Sequence, residues 1–572
     1  MTPFVRKRER IVVDPVDTRC VDRLAAQLGV DPVVATMLVR RGLATWDACR
    51  AFFNPDAGNL LDPFLFTAME RAVQRIATAI RAGEHIVVYG DYDVDGISAT
   101  ALMLRYLRHR GAACCTCYLP DRLDEGYGVS EAGIAECASR GASLVITVDC
   151  GIGSIREVEL AARYGIDMIV TDHHEPKSEL PPALAIINHK VPGCGYPEQV
   201  LAGVGVAFKV CQALDTFLGE DSDFLPGMLE LVAAGTAADI VPLTGENRIL
   251  ASLGFARLRR TAIPGLRSLI EEQGLAERDL STADVVFQLA PCINAVGRLG
   301  DPVRGVELLV TDKYEDARGL AAQLVALNRE RRAINEQVEQ EVAAWVMREC
   351  HTGRDAAIVA AGHGWHVGVI GIVASRMVER FYRPAIVLST DDNGIARGSG
   401  RSIEGFHLLD ALDQCSDLLL TWGGHAAAAG LTLSVEALPA FRERFNRIAG
   451  RVLSVEGEQP RIRGDAQVEF ADLTPRLLRI IKRMAPFGPA NMRPVLVTRG
   501  VSSRTPPRLV GKGHLKLSVQ RGGCVMDAIA FNMGDRRDEV DAAAAFDLAY
   551  TLDENEWNGK VSLQLKVKGV ET

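Results

Sequence analysis

The stretch that decides the fold is residues 86–100, IVVYGDYDVDGISAT. Four apolar residues run into Gly90, aspartates follow at 91, 93 and 95, and Gly96 opens an apolar run with helical spacing. That order predicts a buried strand, a carboxylate loop and then a helix. In a locally extended loop, residues two apart point the same way, so at least two of Asp91, Asp93 and Asp95 crowd into one small volume beyond the strand end. Like charges packed so closely repel, and a divalent cation relieves the repulsion. The string D-x-D-x-D-G also opens an EF-hand loop. Counting from Asp91, however, puts Leu102 where the bidentate Glu belongs, and a strand precedes the loop. Taken alone, the stretch also reads as a solvated acidic turn.

The pattern continues outward. Between 67 and 243 the periodicity predicts helix 68–82, strand 85–89, helix 97–110, strand 115–119, helix 130–139, strand 144–148, helix 154–164 and strands 167–171 and 185–188. Alternating βα units with short apolar strands imply an α/β fold with a doubly wound, mostly parallel sheet. Ligands of such sheets sit beyond the carboxyl ends of the strands. Strand 144–148 ends in Asp149 and the flexible CGIG of 150–153, and strand 167–171 ends in DHHEP, residues 172–176. Both deliver polar groups to the edge that carries the aspartate triplet. A strand-end Asp such as Asp149 also serves as a helix N-cap. His173-His174 is the only adjacent pair among eleven histidines, and imidazole beside carboxylates suits manganese or zinc better than magnesium or calcium. A further apolar run, 229–238, ends at Asp239, where ligation and capping compete.

The motifs DYDVDG (91–96), VDCG (148–151), TDHHEP (171–176) and GTAADIVPL (235–243) together resemble those of the DHH phosphoesterase superfamily. The chain length and downstream motifs resemble its bacterial branch of single-strand-specific DNA exonucleases. Carried over position by position, the resemblance implies that Asp93, Asp95, Asp149, His173 and Asp239 hold two divalent metal ions, Mn²⁺ or Mg²⁺, with Asp149 bridging. It implies that His174 faces the substrate phosphate and that Asp91 and Asp172 support the ligands from behind. Tyr89 stands where some relatives carry a histidine. Two such ions activate a water and stabilise the attacking and leaving oxygens of an in-line displacement, so no nucleophilic side chain is needed.

Asn294, Gly297 and Arg298 resemble the family's N-A-x-G-R motif, whose arginine fork matches a phosphate; Cys292 stands where relatives often have another arginine. A helix over 313–350, about 45 to 55 Å long, is predicted to bridge two lobes and leave a groove. The next lobe opens with a strand over 357–361. Its segments GWHVGVIGIVA (364–374), GSGRS (398–402) and GGH (423–425) resemble the DHH-associated domain. Ser399 and Arg401 are then expected to hold a terminal phosphate, and Gly424 and His425 to approach the bound nucleotide; Trp365 and His366 are read as packing. Beyond 460, short alternating runs and one helix predict a small β-barrel, similar to the family's OB-fold. Helix 475–484 aligns Arg476, Arg479, Lys482 and Arg483, while Lys512, His514 and Lys516 are read as alternating along a strand. With Phe531 or Trp557 as stacking platforms, these suit a single-strand groove. In PFGPANMRP (486–494), Ala490 and Met492 replace an expected Gly and Pro.

The expected organisation is therefore a helical segment 1–50, a metal-bearing DHH domain 51–312, a connecting helix 313–350, an associated domain 351–453 and an OB barrel 454–572. The net charge of −9 gives no general attraction to nucleic acid, so phosphates must be met by local basic patches. Thirteen scattered cysteines, densest at Cys114, Cys115 and Cys117, are read as neither a disulfide framework nor a zinc site. The N-terminus turns acidic too soon for a secretory signal, which predicts a cytoplasmic protein. The resemblance implies a metal-dependent exonuclease on single-stranded DNA, acting 5′ to 3′ and releasing mononucleotides in DNA repair and recombination. It further implies a monomer away from membranes, with a single-strand-binding protein and a helicase as partners. A phosphodiesterase for short oligonucleotides or cyclic dinucleotides shares the metal motifs but has no need of a barrel. A catalytically silent nucleic-acid-binding protein of the same fold is the rival from another class.

Overall fold

The computed structural model describes residues 8–122, 125–219, 223–351, 354–453, 459–557 and 559–572. Two compact units are each assembled from separated parts of the chain: Leu43–Arg329 with Ile481–Arg493, and Met1–Gly42 with Glu330–Ile480 and Pro494–Thr572.

The first unit is built on a five-stranded, wholly parallel sheet. Its strands lie side by side in the order Cys115–Tyr118, Ile86–Tyr89, Leu144–Val148, Asp167–Thr171 and Ala185–Ile187. Each falls within a residue or two of its predicted span. Side chains alternate between two apolar layers. Ile86, Val88, Leu144, Ile146 and Ile169 join the larger core with helices Met69–Ala82, Val94–His109, Gly203–Leu218 and Leu229–Ala238. Val87, Tyr89, Val145 and Met168 meet helices Glu131–Ser139 and Ile155–Arg163 on the opposite face. Every strand enters from the same end, so Asp91, Asp149 and Asp172 are all delivered to one edge. Cys114 and Cys117 have C-x-x-C spacing, but an odd offset in extended chain sends them to opposite faces, and all thirteen cysteines are free thiols.

Away from that edge, the buried Lys209 and Glu246 pair at 2.5 Å. Lys209 Nζ donates to the Leu61 carbonyl at 2.7 Å, Glu246 accepts the Leu61 N–H at 2.9 Å, and Tyr196 OH donates to the same carboxylate. The pair thereby holds the segment before the sheet against the domain.

In the second unit, strands Ile358–His363, Ala385–Thr390, Ile395–Arg401, Ala428–Ser434 and Thr421–Gly424 form a mixed sheet in that order, with only the first pair parallel. The helix Tyr314–Glu349 is 36 residues long, about 54 Å. Its early residues Ala317, Ala321 and Leu324 enter the core of the first unit, and its later residues Val338, Val342 and Val346 pack with the mixed sheet of the second. The barrel strands Leu496–Val510, His514–Arg521, Cys524–Ala530, Lys560–Glu571 and Phe546–Trp557 close on themselves through the pairing of the first with the last.

Three details depart from the sequence expectation. The first barrel strand continues to Val510 through Pro506 and Pro507, and its register shifts there, because prolines without N–H groups are tolerated at a bulge. Lys512 does not alternate along a strand; it lies in the turn between Gly511 (φ 55°) and Gly513 (φ 83°), and only His514 and Lys516 are in the strand. Ahead of the expected first helix, Arg10–Val12 forms a strand parallel to Arg461–Arg463. Among the described residues, no helix is long and apolar enough to cross a membrane.

Candidate active site

Local backbone chemistry fixes where each acidic side chain goes. Asp93 caps the helix Val94–His109, its Oδ1 accepting the N–H groups of Asp95 at 2.9 Å and Gly96 at 3.1 Å. Asp95 reaches across to the start of the helix Gly203–Leu218 and accepts from Gly203 N–H at 2.7 Å and Val204 N–H at 3.1 Å, where the helix dipole favours a carboxylate. Glycine is required at this junction: a Cβ on Gly203 would lie 2.3 Å from Asp149 Oδ1, and one on Gly235 2.8 Å from Asp95 Oδ1. Asp149 adopts a left-handed φ of 63°, and the next helix is capped at Ser154, so Asp149 is not an N-cap. Asp239 closes the C-terminal end of Leu229–Ala238, where the dipole disfavours a carboxylate, and capping does not account for it either.

The ligand-type atoms gather in three overlapping sets, each within 4.8 Å: Asp91, Asp93 and Asp149; Asp149, His173 and His174; Asp95, His173 and Asp239. His173 Nε2 lies 3.1 Å from Asp149 Oδ1 and 3.6 Å from Asp239 Oδ2. Those three atoms and Asp91 Oδ1 are buried without a hydrogen-bond partner. Asp91 lies in the first of these sets, its extended loop aligning it with Asp93. Asp172 is fully engaged: it accepts from the N–H groups of Ile152, His173 and His174 at 2.9, 2.7 and 3.1 Å, and from His174 Nδ1–H at 2.8 Å. Tyr89 spends its hydroxyl accepting the Ser130 N–H at 3.1 Å.

The electrostatics follow from burial. Desolvation, then the Asp93 charge, pushes Asp91 up to about 8 and Asp95 to about 7. Desolvation with the Asp95 and Asp93 charges raises Asp239 to about 9 and Asp149 well above the usual carboxylate range. Burial and the neighbouring His174 bring His173 down to about 3, leaving its Nε2 lone pair free at neutral pH. Burial opposes ionisation of Asp172 too, but the His174 hydrogen bond and charge hold it below the usual range. Four buried acceptor atoms without partners, three on carboxylates that resist ionising together and one on an imidazole, fit a divalent cation, and the imidazole favours Mn²⁺ over Mg²⁺.

Asn294 Oδ1 accepts the Val94 N–H at 3.1 Å, and a Cβ at Gly297 would lie 2.9 Å from the Tyr92 carbonyl oxygen. The N-A-x-G-R helix therefore braces the aspartate loop and sets Arg298 beside it, half exposed. Cys292 is buried, its thiol donating to the Gln288 carbonyl at 3.2 Å and accepting from Gln273 and Asn328, so it is packing. Sequence reasoning missed Tyr127. Its hydroxyl lies 3.0 and 3.1 Å from the two ring nitrogens of His174 and 3.4 Å from the Asp149 carbonyl oxygen. The signal was present as E-G-Y-G, residues 125–128, a tyrosine between two glycines at φ 85° and 90°.

In the other unit, Ser399 and Arg401 point to one side of their strand, and Arg401 Nη1 donates to Ser399 Oγ at 3.0 Å. Gly371 of the helix Val367–Phe381 lies against both: a Cβ there would be 2.9 Å from Ser399 Oγ and 3.1 Å from Arg401 Nη2. Gly424 (φ 144°) and the exposed His425 turn the adjoining hairpin, with His425 N–H donating to the Ala428 carbonyl at 2.8 Å. His366 caps its helix through Gly368 N–H, and Trp365 Nε1–H donates to Glu341 at 2.7 Å. Arg476, Arg479, Lys482 and Arg483 are all exposed on the helix Pro475–Arg483. The Phe531 ring is exposed and meets His514 edge-on at 5.1 Å; the Trp557 side chain lies outside the described residues.

Residues 85–236 match the DHH family, N-terminal domain, residues 354–451 the DHHA1 domain and residues 464–569 the RecJ OB domain. The chain is similar to the single-stranded-DNA-specific exonuclease RecJ of Bacillus subtilis, at 42% identity over 96% of this chain and 69% of the relative. It is similar to that of Escherichia coli at 38% identity over 88% of this chain and 90% of the relative. Among solved structures it resembles RecJ of Thermus thermophilus in complex with Mn²⁺, at TM-score 0.84 and 29% identity, covering 99% of this chain and 80% of that one. With those identities over most of both chains and three domains in the same order, the chain belongs to the RecJ family of DHH phosphoesterases.

Proposed function

We propose that the chain is a metal-dependent exonuclease that hydrolyses phosphodiesters of single-stranded DNA from the 5′ end, releases mononucleotides and serves DNA repair and recombination. The observation that carries this reading is the buried carboxylate and imidazole cluster with four unpartnered acceptor atoms, on a chain whose relatives bear that name. Asp93, Asp95, Asp149, His173 and Asp239, with Asp91 beside them, hold two divalent ions, Mn²⁺ or Mg²⁺. When bound, the ions supply a water acidic enough to attack at neutral pH and stabilise charge on the attacking and leaving oxygens. The protein's own part is orientation. Asp172 fixes the His174 imidazole through Nδ1–H, and the ring faces the substrate phosphate. Arg298 contacts the strand backbone from the helix that Asn294 docks onto the aspartate loop. Ser399 and Arg401 grip a terminal phosphate, with Gly424 and His425 at the nucleotide.

Arg476, Arg479, Lys482 and Arg483, with Lys516 and the turn residue Lys512, track the backbone of a longer strand, and Phe531 offers a stacking face. A single-strand-binding protein and a helicase are the partners of this activity, the chain acts as a monomer, and it works in the cytoplasm. End-labelled single strands, duplexes and dinucleotides incubated with Mn²⁺ or Mg²⁺ test the reading: single strands should be shortened from the 5′ end and duplexes spared. Cleavage confined to dinucleotides would favour a small-substrate phosphodiesterase, and no cleavage would favour a silent binding protein.

A further inference from the structure

The fifth strand of the parallel sheet, Ala185–Ile187, ends at the same edge as the strands that carry Asp149 and Asp172, and the chain leaves it as Asn188-His189-Lys190. Asn188 is fully buried and bonds in two directions. Its Nδ2–H donates to the His174 carbonyl at 2.9 Å, and its Oδ1 accepts the Lys190 N–H at 2.8 Å. One side chain therefore ties the backbone of Lys190 to that of the histidine beside the cluster. The Lys190 ammonium is half-buried and meets Glu175 Oε1 at 3.2 Å, on a side chain 73% exposed. An ion pair with so exposed a partner is weak and readily exchanged, and a lysine stem is flexible enough to make the exchange. The charge of Lys190 is also felt inside the cluster. Burial and then the Asp95 and Asp93 charges hold the Asp239 carboxyl up, and Lys190 is the cation that pulls it down. Burial and then His174 bring the His173 imidazole down, and Lys190 adds to them. A cation so placed offsets carboxylate repulsion in the metal-free cluster, but it opposes any metal ion that binds there. It gains again when an anion joins the metals, and the anion this site receives is a phosphate.

Resting on the exonuclease reading, we infer that Lys190 is a further catalytic residue: its ammonium leaves Glu175 when the strand binds and donates to a non-bridging oxygen of the scissile phosphate. That oxygen gains negative charge as the attacking oxygen adds to phosphorus. A donor held on a tethered backbone therefore stabilises the transition state more than it stabilises the bound strand. The amine keeps its proton throughout, and no bond to its nitrogen forms or breaks.

The test compares wild type, Lys190→Gln and Lys190→Arg on 5′-phosphorylated single strands in saturating Mn²⁺, with Mn²⁺ affinity measured separately by calorimetric titration without DNA. Lys190→Gln should lower kcat about 10- to 150-fold, the worth of a charge-assisted hydrogen bond, with a smaller change in KM. The same variant should bind Mn²⁺ about 2- to 10-fold more tightly, because a neighbouring positive charge is gone. Lys190→Arg keeps the charge and a donor, so it should retain wild-type Mn²⁺ affinity and recover a large part of kcat. Opposite movements of kcat and metal affinity are the signature, since a side chain that merely supports the fold would weaken both. Wild-type kcat in Lys190→Gln overturns the phosphate contact and leaves the lysine a counter-charge to the carboxylates. Weaker Mn²⁺ binding in that variant overturns it as well, by making the lysine a structural prop. A wild type that leaves every single strand intact refutes the exonuclease reading, and the phosphate contact with it, an outcome the variants cannot mimic.

Discussion

Replacing Asp91 by Asn should stabilise the metal-free protein, and increasingly so as pH rises. Asp91 is buried, its Oδ1 has no partner, and desolvation with the Asp93 charge raises it to about 8. A carboxyl that binds its proton more tightly when folded makes stability fall as pH rises, because the native state must give up a proton that the unfolded chain has already lost. The contribution is whole below the ordinary carboxylate range and is lost as pH climbs through about 8. Integrating one such group from pH 6 to pH 9, at about 1.4 kcal/mol per pH unit while protonated, gives a loss of about 2.5 kcal/mol. Asparagine has no proton to lose, and its amide can donate to the neighbouring carboxylates. In EDTA, the variant's Tm should therefore pull ahead of wild type by about 4 °C between pH 6 and pH 9. Saturating Mn²⁺ should reverse the order, since the ion binds the native carboxylates and stabilises in proportion to its affinity. Asp392→Asn, at a side chain 96% exposed, is the control. A Tm gap independent of pH, or one that the control reproduces, refutes the repulsion argument.

Arg401→Ala should slow cleavage of 5′-phosphorylated strands about 10- to 100-fold, the worth of charge-assisted hydrogen bonds, and leave 5′-hydroxyl strands nearly unchanged; equal losses on both would remove the terminal-phosphate role. Each phosphate neutralised on a single strand contributes about −0.7 to the slope of log affinity against log salt, so Arg476→Gln, Arg479→Gln and Lys516→Gln combined should flatten that slope by about 2. An unchanged slope by anisotropy between low and moderate salt would move the strand off this face. Lys209→Met leaves Glu246 buried and charged, at a cost of about 3 to 5 kcal/mol in urea unfolding. Adding Glu246→Leu should recover much of the loss, and a double variant no more stable than the single would contradict the buried-pair account.

The parallel sheet was legible because its three central strands, Ile86–Tyr89, Leu144–Val148 and Asp167–Thr171, are short apolar runs that end at glycine or aspartate, a local signal that needs no partner. The same punctuation exposed the edge where Asp91, Asp149 and Asp172 meet. What stayed hidden depends on pairing and approach. The strand Arg10–Val12 has too few residues to show alternation and exists because Arg461–Arg463 lies beside it. Lys512 fits an alternating pattern by number alone, and the glycines on either side of it turn the chain. Supporting and ligating aspartates differ only in what their oxygens touch, so the motif alone does not separate Asp91 from Asp93. Tyr127 carries no charge and sits on an irregular loop, so only its contact with His174 marks it out.

The pairing of Arg10–Val12 with Arg461–Arg463 governs how the molecule is made. Ile11 N–H donates to Glu571 at 2.9 Å, 560 positions away along the chain. On a ribosome, that first strand must therefore wait for almost the whole polypeptide before its partners exist, while the parallel sheet can collapse as soon as its last strand emerges. Loop closure over such a span adds little to the equilibrium cost but slows assembly, since non-local pairings form late. Cutting the chain at residue 460 would orphan the strand Arg10–Val12 and bare Ile11, and would also take Ile481–Arg493 from the metal-bearing unit, so no single cut isolates that unit.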